Sequence, residues 1–193
     1  MSVSAKPDIL TLIGMAATVF IFTTLMHEGA GHGGACLAVG ARPVEWGAYY
    51  FDCDTHAGPP WKWQAVAAAG STVNLILCLL SYLGLKTALA RGARGLSALL
   101  LWLLFALNGF TWAGYFLFSG VGGIGDWGTG SQAVLGGMDN VMALRIAMVA
   151  FGAIAYFGLG MTAGRLLGEI TGGDRAAGGR ISTTFYLTGG TVS

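Results

Sequence analysis

Charged side chains are scarce in this sequence. Lys and Arg number 10 and Asp and Glu number 9, together 10% of 193 residues, whereas soluble domains carry roughly 25%. So few charges cannot cover a water-soluble surface, and a hydrophobic content of 54% excludes a disordered chain. A net charge of +1 without a basic run argues against nucleic acid as a partner. The composition therefore predicts an integral membrane protein surrounded by the lipid bilayer.

Long uncharged runs predict an all-α polytopic fold with about four transmembrane helices. Crossing a hydrocarbon core of about 30 Å takes about 20 helical residues, and the predicted spans are about residues 9–30, 65–85, 96–118 and 141–164. No polar insert reaches domain size, so residues 1–168 are predicted to form one transmembrane domain. Residues 169–193 are predicted to form a polar, Gly- and Thr-rich tail that is disordered or docks onto a partner. Val44 to Phe51 is rich in β-forming residues and predicts a short β-like segment after the first span.

Basic residues predict the orientation in an inner or plasma membrane. The link between the second and third spans contains Lys86, Arg91 and Arg94 without an acid, which is typical of a cytoplasmic loop. Both termini are then cytoplasmic, and the link between the first two spans faces outside. In that oxidising location Cys36 and Cys53 could form a disulfide.

The first span ends in a group of ionisable residues, His27, Glu28 and His32. Ionisable side chains at membrane depth cost several kcal/mol unless they are paired or hydrated, so they are functional candidates. In zinc hydrolases two histidines on a helix bind the metal, and the Glu beside the first acts as a general base. The group therefore predicts a metal site, with zinc as the cofactor.

The histidine spacing differs from the usual His-Glu-x-x-His by one residue. At i and i+5 the two rings lie about 140° apart on a regular helix of 3.6 residues per turn. A π-bulge would return them to one face, and Gly29 and Gly31 make that distortion cheap. The dipeptidyl peptidase III family, which binds zinc through a His-Glu-x-x-x-His helix, is similar in this respect. Alternatively, Glu28 and His32 are the ligand pair and His27 has another role.

Two further polar residues could complete the site. A catalytic zinc keeps three protein ligands, and Asp126 is the only charged residue between Arg94 and Asp139. Helix parity places Asp126 on the same side of the membrane as the end of the first span, although it could instead cap a helix. Asn74 in the second span could hydrogen-bond the substrate or a metal ligand, or form an interhelical hydrogen bond.

The order of these motifs resembles the site-two protease family of intramembrane zinc metallopeptidases over about residues 10–130. The matching segments are His27-Glu28 to His32, Gly40 to Val44, Gly70 to Asn74, and Gly125-Asp126. In that family they correspond to the zinc helix, a short β-structured segment, a helix with an Ala-Gly-Pro-x-x-Asn-type motif and a late Asp zinc ligand. The resemblance implies that zinc is bound by His27, His32 and Asp126, that Glu28 activates water, and that Asn74 helps hold an extended substrate.

Two functions are predicted from these features. The first is a zinc-dependent intramembrane peptidase that hydrolyses a membrane-embedded peptide bond by metal-activated water. The second is a catalytically inactive, protease-like accessory subunit of a larger membrane complex. The extra residue in the zinc motif and a stripe of small residues in the fourth span motivate this alternative. The stripe consists of Gly160, Gly164 and Gly168, and it would pack internally or against a partner subunit.

Overall fold

The structure is a computed structural model that describes residues 7–55 and 58–192. It is 73% helical, with one two-stranded sheet, and the all-α fold class with a β segment after the first helix is confirmed. The elements in chain order are α1 (Ile9–Leu25), a π-helical segment (Met26–Gly33), α2 (Gly34–Ala38), β1 (Arg42–Trp46), β2 (Phe51–Asp54), α3 (Pro60–Ala90), α4 (Leu96–Gly122), α5 (Met142–Thr171) and α6 (Arg175–Val192).

In the described part of the chain, four helices are long and apolar enough to cross a membrane. They are Ile9–Ala38, Pro60–Ala90, Leu96–Gly122 and Met142–Thr171. Each extends beyond its predicted span, because uncharged runs mark only the part of a helix that lies in hydrocarbon. Pro60 suits the first position of α3, where its missing N–H costs no hydrogen bond. The structure thus supports an integral membrane protein with longer helices than the sequence predicted.

The chain divides into two compact units, and the first comprises residues 7–23, 77–108 and 159–192. Trp102 on α4 is central to this unit, since its indole Nε1 donates a 2.8 Å hydrogen bond to the carbonyl of Ala163 on α5. The ring of Phe185 on α6 lies edge-on to Trp102 and also packs against Phe20 of α1. Aromatic side chains therefore join four helices of this unit.

The segment expected to be a C-terminal tail is helical in its described part. Two glycines with positive φ, Gly172 and Gly173, end α5, and α6 follows. Ile181, Thr184 and Thr188 are buried and recur every three or four residues, which places them on one face. The Thr188 hydroxyl donates to the Thr184 carbonyl, so its burial leaves no polar group unsatisfied. The threonines of this segment therefore serve helix packing.

The second compact unit, residues 24–76 and 109–158, contains the β segment. This segment is a hairpin, whereas the sequence predicted one β-like stretch, because the chain reverses where Gly47 N donates to the carbonyl of Tyr50. Strands β1 and β2 are antiparallel, with a register shift between Pro43 and Glu45. A disulfide joins Cys36 of α2 to Cys53 of β2, as predicted. It ties the hairpin to the helix that carries the two histidines.

Removing this disulfide is expected to destabilise the protein. A cross-link with a sequence separation of 17 typically contributes about 2–4 kcal/mol to the free energy of unfolding. We expect the double variant Cys36→Ser/Cys53→Ser to unfold at a lower temperature in detergent than the wild type. A reductant should lower the wild-type unfolding temperature to that of the variant and leave the variant unchanged. An unaffected wild type would contradict a stabilising cross-link.

Candidate metal centre

The π-helical backbone of Met26–Gly33 brings the two histidines together. The Nε2 atoms of His27 and His32 lie 3.2 Å apart, and both side chains are buried. On a regular helix a five-residue spacing would point them apart, but the wider π-turn takes up the additional residue. The π-bulge prediction is confirmed, and His27 and His32 lie on the same side of the helix.

Asp126 lies beside both histidines. Its Oδ2 atom is 3.2 Å from Nε2 of His27 and 3.5 Å from Nε2 of His32. Ligand atoms bound tetrahedrally at about 2.1 Å from a zinc ion lie about 3.4 Å from one another. The three atoms thus have the spacing that a metal would require. Asp126, which is distant in sequence, thus lies beside the two histidines of the first helix.

The other ring nitrogens of the histidines are hydrogen-bonded in the pattern of metal ligands. His32 Nδ1 donates to the carbonyl of Val66 at 2.7 Å, and His27 Nδ1 donates to Oδ1 of Asn74 at 2.6 Å. A carbonyl oxygen only accepts, so the proton of a neutral His32 lies on Nδ1 and the Nε2 lone pair is free. Metal-binding histidines are commonly oriented in this way. Asn74 therefore contacts a candidate ligand, one of the roles predicted for it.

The carboxylate of Asp126 is the third candidate electron-pair donor in this group. Its Oδ2 is buried and has no hydrogen-bond partner among the described residues. An aspartate carboxyl group is ordinarily ionised at neutral pH. Two lone pairs and a negative charge that converge in a buried place fit a bound cation.

Glu28 lies next to these atoms. One ligand atom each of His27, Glu28 and His32 lies within 4.8 Å of the others, and this buried group could hold a metal ion. Glu28, His32 and Asp126 also line a cavity of about 520 Å³, a size typical of small-ligand sites. Glu28 therefore has access to the same space as the candidate ligands.

A close approach of two glycines makes room for the histidines. A Cβ atom on Gly70 would lie 2.5 Å from Nε2 of His27 and 2.6 Å from Nε2 of His32. A Cβ atom on Gly31 would lie 2.6 Å from the Gly70 Cα, so the two helices touch through their backbones. In the sequence Gly70 stands out only as part of a motif, and this role was not predicted. The run of small residues that ends at Gly70 was the available signal for close helix packing.

Tyr115 is a second residue of the site that the sequence did not indicate. Its ring stacks on the imidazole of His27, with centroids 4.8 Å apart and planes 13° from parallel, and it also lines the cavity. No motif surrounds Tyr115, and an aromatic residue in an apolar helix is ordinary. Only the fold places it against a candidate metal ligand.

The loop that carries Asp126 is fastened on both sides. Trp127 Nε1 donates to the Ser71 hydroxyl at 2.8 Å, and Gln64 Nε2 donates to the Val134 carbonyl at 3.2 Å. Gly125 has a φ of +78°, a conformation that side-chain-bearing residues rarely adopt. These contacts hold Asp126 in place, so it is not simply a helix cap in a free loop.

Asn74→Ala is expected to weaken metal binding about 10- to 100-fold, the usual cost of losing the partner of a ligating histidine. The His27 ring would lose the acceptor that fixes its orientation. A zinc titration of purified protein against a competing chelator measures the effect. Asn108→Ala is the matched control, since Asn108 is as buried as Asn74 and its amide contacts Thr23. Asn108 and Thr23 both belong to the first compact unit, whereas Asn74 belongs to the second. Equal affinities of the two variants would contradict a role for Asn74 in the metal centre.

Comparisons with protein-family models, with curated proteins and with solved structures find no match to this chain, so its assignment rests on the geometry of the site.

Proposed function

We propose that this protein is a zinc-dependent intramembrane peptidase related to the site-two proteases. The observation that carries the proposal is the convergence of His27 Nε2, His32 Nε2 and Asp126 Oδ2 at 3.2–3.5 Å, with Glu28 beside them. This donor set fits zinc, which favours nitrogen and carboxylate ligands in a four-coordinate site with one position open. The four helices that could cross a membrane are consistent with a substrate in the bilayer.

Each residue of the site would have its own role in the hydrolysis of a peptide bond. A bound zinc ion would supply a Lewis acid that polarises a carbonyl group and makes water more acidic. Glu28 would accept a proton from the attacking water and pass it to the leaving amine. Asn74 and the carbonyl of Val66 would keep both imidazoles oriented. Each of these roles depends on contacts that the fold already provides.

The surroundings of the site suit an extended peptide segment. The cavity beside Glu28 is walled by aromatic residues, namely Tyr49, Tyr50, Phe51, Trp63 and Tyr115. Among residues 7–55 and 58–192, strand β1 pairs with β2 alone and all five of its residues are exposed, so its other edge is open to an added strand. We infer that an unwound stretch of a membrane protein enters the cavity.

We further infer that the metal centre opens to the outer side of an inner or plasma membrane, with both termini cytoplasmic. The disulfide between Cys36 and Cys53 lies close in sequence to the metal-binding helix, and disulfides persist in oxidising compartments. The basic link between α3 and α4 lies at the other end of α3 and favours the cytoplasm. These two independent signals agree on one orientation.

Metal content and chelator-sensitive cleavage test the proposed function. Purified protein should contain about one zinc ion per chain, a stoichiometry that three converging ligands predict. A library of short transmembrane peptides in detergent should be cleaved, cleavage should stop with a chelator, and added zinc should restore it. Protein prepared without chelators that contains no metal would overturn the proposal. His32→Ala should lack both metal and activity.

A non-enzymatic accessory subunit is the second candidate, and the exposure of α5 favours it. Only 6% of the apolar window of α5 is buried, and a Cβ atom on Gly160, Gly164 or Gly168 would meet nothing within 4 Å. Small residues on a free helix face suit close packing against another membrane helix. A metal-loaded protein without any cleavage that depends on Glu28 would favour this alternative.

A further inference from the structure

A second cavity lies in the first compact unit, where α4 begins and α5 ends, and its volume is about 160 Å³. Its charged lining residues are Arg94, Arg180 and Asp174, and apolar side chains such as Leu96, Leu99 and Ile181 form much of the rest. The proposed peptidase chemistry uses none of these residues. Both arginines are exposed, and they place two cationic groups at the end of an apolar cavity.

Both guanidinium groups keep unused donors. Arg94 Nη1 donates to the carbonyls of Leu89 and Ala93, and Arg180 Nη2 donates to the carbonyl of Pro7 at 3.4 Å. A guanidinium carries five N–H donors, so within the described part of the chain most of those on Arg94 and Arg180 remain available. The ion pairs found among the described residues do not include either arginine.

The acidic residue of the cavity has a structural task. Asp174 Oδ1 accepts a 3.0 Å hydrogen bond from the backbone N–H of Ala177, and it thereby caps the beginning of α6. Among the described residues that line the cavity, one carboxylate and two guanidinium groups leave a surplus of positive charge. An anion of modest size would balance that charge.

The position of the cavity indicates where such an anion comes from. Leu96 is the first residue of one candidate membrane span and Thr171 is the last residue of another, and both line the cavity. Spans end at the level of the lipid phosphates, and basic pockets between membrane helices bind anionic headgroups. Leu96, Leu99 and Ile181 would contact the glycerol and upper acyl chains, which a free phosphate ion lacks.

We propose that this cavity binds the phosphate group of an anionic phospholipid between Arg94 and Arg180. The guanidinium groups form charge-assisted hydrogen bonds to the phosphate oxygens, a pairing that their planar geometry favours. The bound lipid bridges the beginning of α4 and the beginning of α6. The site is separate in sequence and in chemistry from the metal centre, and it does not depend on proteolysis.

Native mass spectrometry of the full-length protein in detergent tests the proposal, with phosphatidylglycerol or phosphatidylcholine added. One phosphatidylglycerol molecule should remain bound, and phosphatidylcholine should be lost. Arg180→Gln should reduce phosphatidylglycerol affinity about fivefold, which corresponds to about 1 kcal/mol for one basic residue. Arg91→Gln is the matched control, because this exposed arginine lies in the same link as Arg94 but does not line the cavity.

Further measurements decide between the lipid and a free phosphate ion and test whether the site exists. Displacement of the bound lipid by millimolar inorganic phosphate would overturn the lipid assignment in favour of a free phosphate ion. Equal losses in Arg180→Gln and Arg91→Gln, or equal retention of both lipids, would overturn the site itself. Arg94→Gln is the second variant, and its folding is checked by its unfolding temperature because Arg94 also bonds two backbone carbonyls.

Discussion

Replacing Glu28 with Gln is expected to abolish peptide cleavage while the metal content stays at the wild-type level. Glutamine has nearly the same size as glutamate but cannot accept a proton from water. Loss of a general base typically slows a reaction about 10²- to 10⁴-fold. Asp126 and the two histidines already provide three converging ligand atoms without Glu28. We therefore expect the cleavage rate of the variant to fall and its zinc content to stay unchanged when both are measured on the same preparation.

Glu169→Gln is the matched control for this experiment. Glu169 is an exposed residue of α5 that does not line the cavity of the metal centre, so its variant should keep both activity and metal. Cleavage by Glu28→Gln at the wild-type rate would exclude Glu28 as the base. Loss of metal in Glu28→Gln would instead assign Glu28 to the ligands, as the alternative Glu28 and His32 pair requires.

Replacing Gly70 with Ala is expected to disrupt the candidate metal centre, although Gly70 lies on α3 and not on the helix that carries the histidines. The added Cβ would lie 2.5 Å from Nε2 of His27 and 2.6 Å from Nε2 of His32, so at least one imidazole must move. We expect zinc affinity to fall by about 100-fold or more, beyond the usual effect of changing a ligand's hydrogen-bond partner. Overpacking of this kind also costs about 1–3 kcal/mol of stability. The same chelator competition, with thermal unfolding alongside, measures both effects.

Gly14→Ala is the control for glycine replacement in a membrane helix. A Cβ atom on Gly14 would have no neighbour within 4 Å, so this variant should bind zinc as the wild type does. Gly31→Ala should resemble Gly70→Ala, because its Cβ would meet the Gly70 backbone. Wild-type zinc affinity in Gly70→Ala would show that the histidines can rearrange around the methyl group without losing the metal.

The membrane-spanning helices were predictable because any helix that crosses the hydrocarbon core needs about 20 residues with few or no charges. Three of the four predicted spans lie within longer helices, and the fourth begins one residue before α5, so only their ends were misplaced. The β segment after the first helix was also predictable from residue type. Its hairpin shape was not, since the reversal depends on the hydrogen bond between Gly47 and Tyr50. Local composition thus determined which elements form and left their exact bounds open.

The candidate metal centre was predictable in its residue types but not in its geometry. His27 and His32 were candidates because buried ionisable groups are costly, yet their spacing allowed both a π-bulge and a different ligand pair. Asp126 was a candidate because few charged residues exist near the spans. Tyr115 could not be identified, because an aromatic residue in an apolar helix carries no sign of its neighbours.

By itself, the sequence determined that this chain belongs in a membrane and that its few ionisable groups near the spans are candidates for function. Both conclusions follow from the cost of placing charge in hydrocarbon, which is the same in every fold. The tertiary structure alone decided that the helix widens into a π-turn at Met26–Gly33 and that Gly31 and Gly70 touch. Distances between helices arise from packing along their whole length, so no local pattern specifies them. The alignment of two imidazoles with one distant carboxylate depends on that packing.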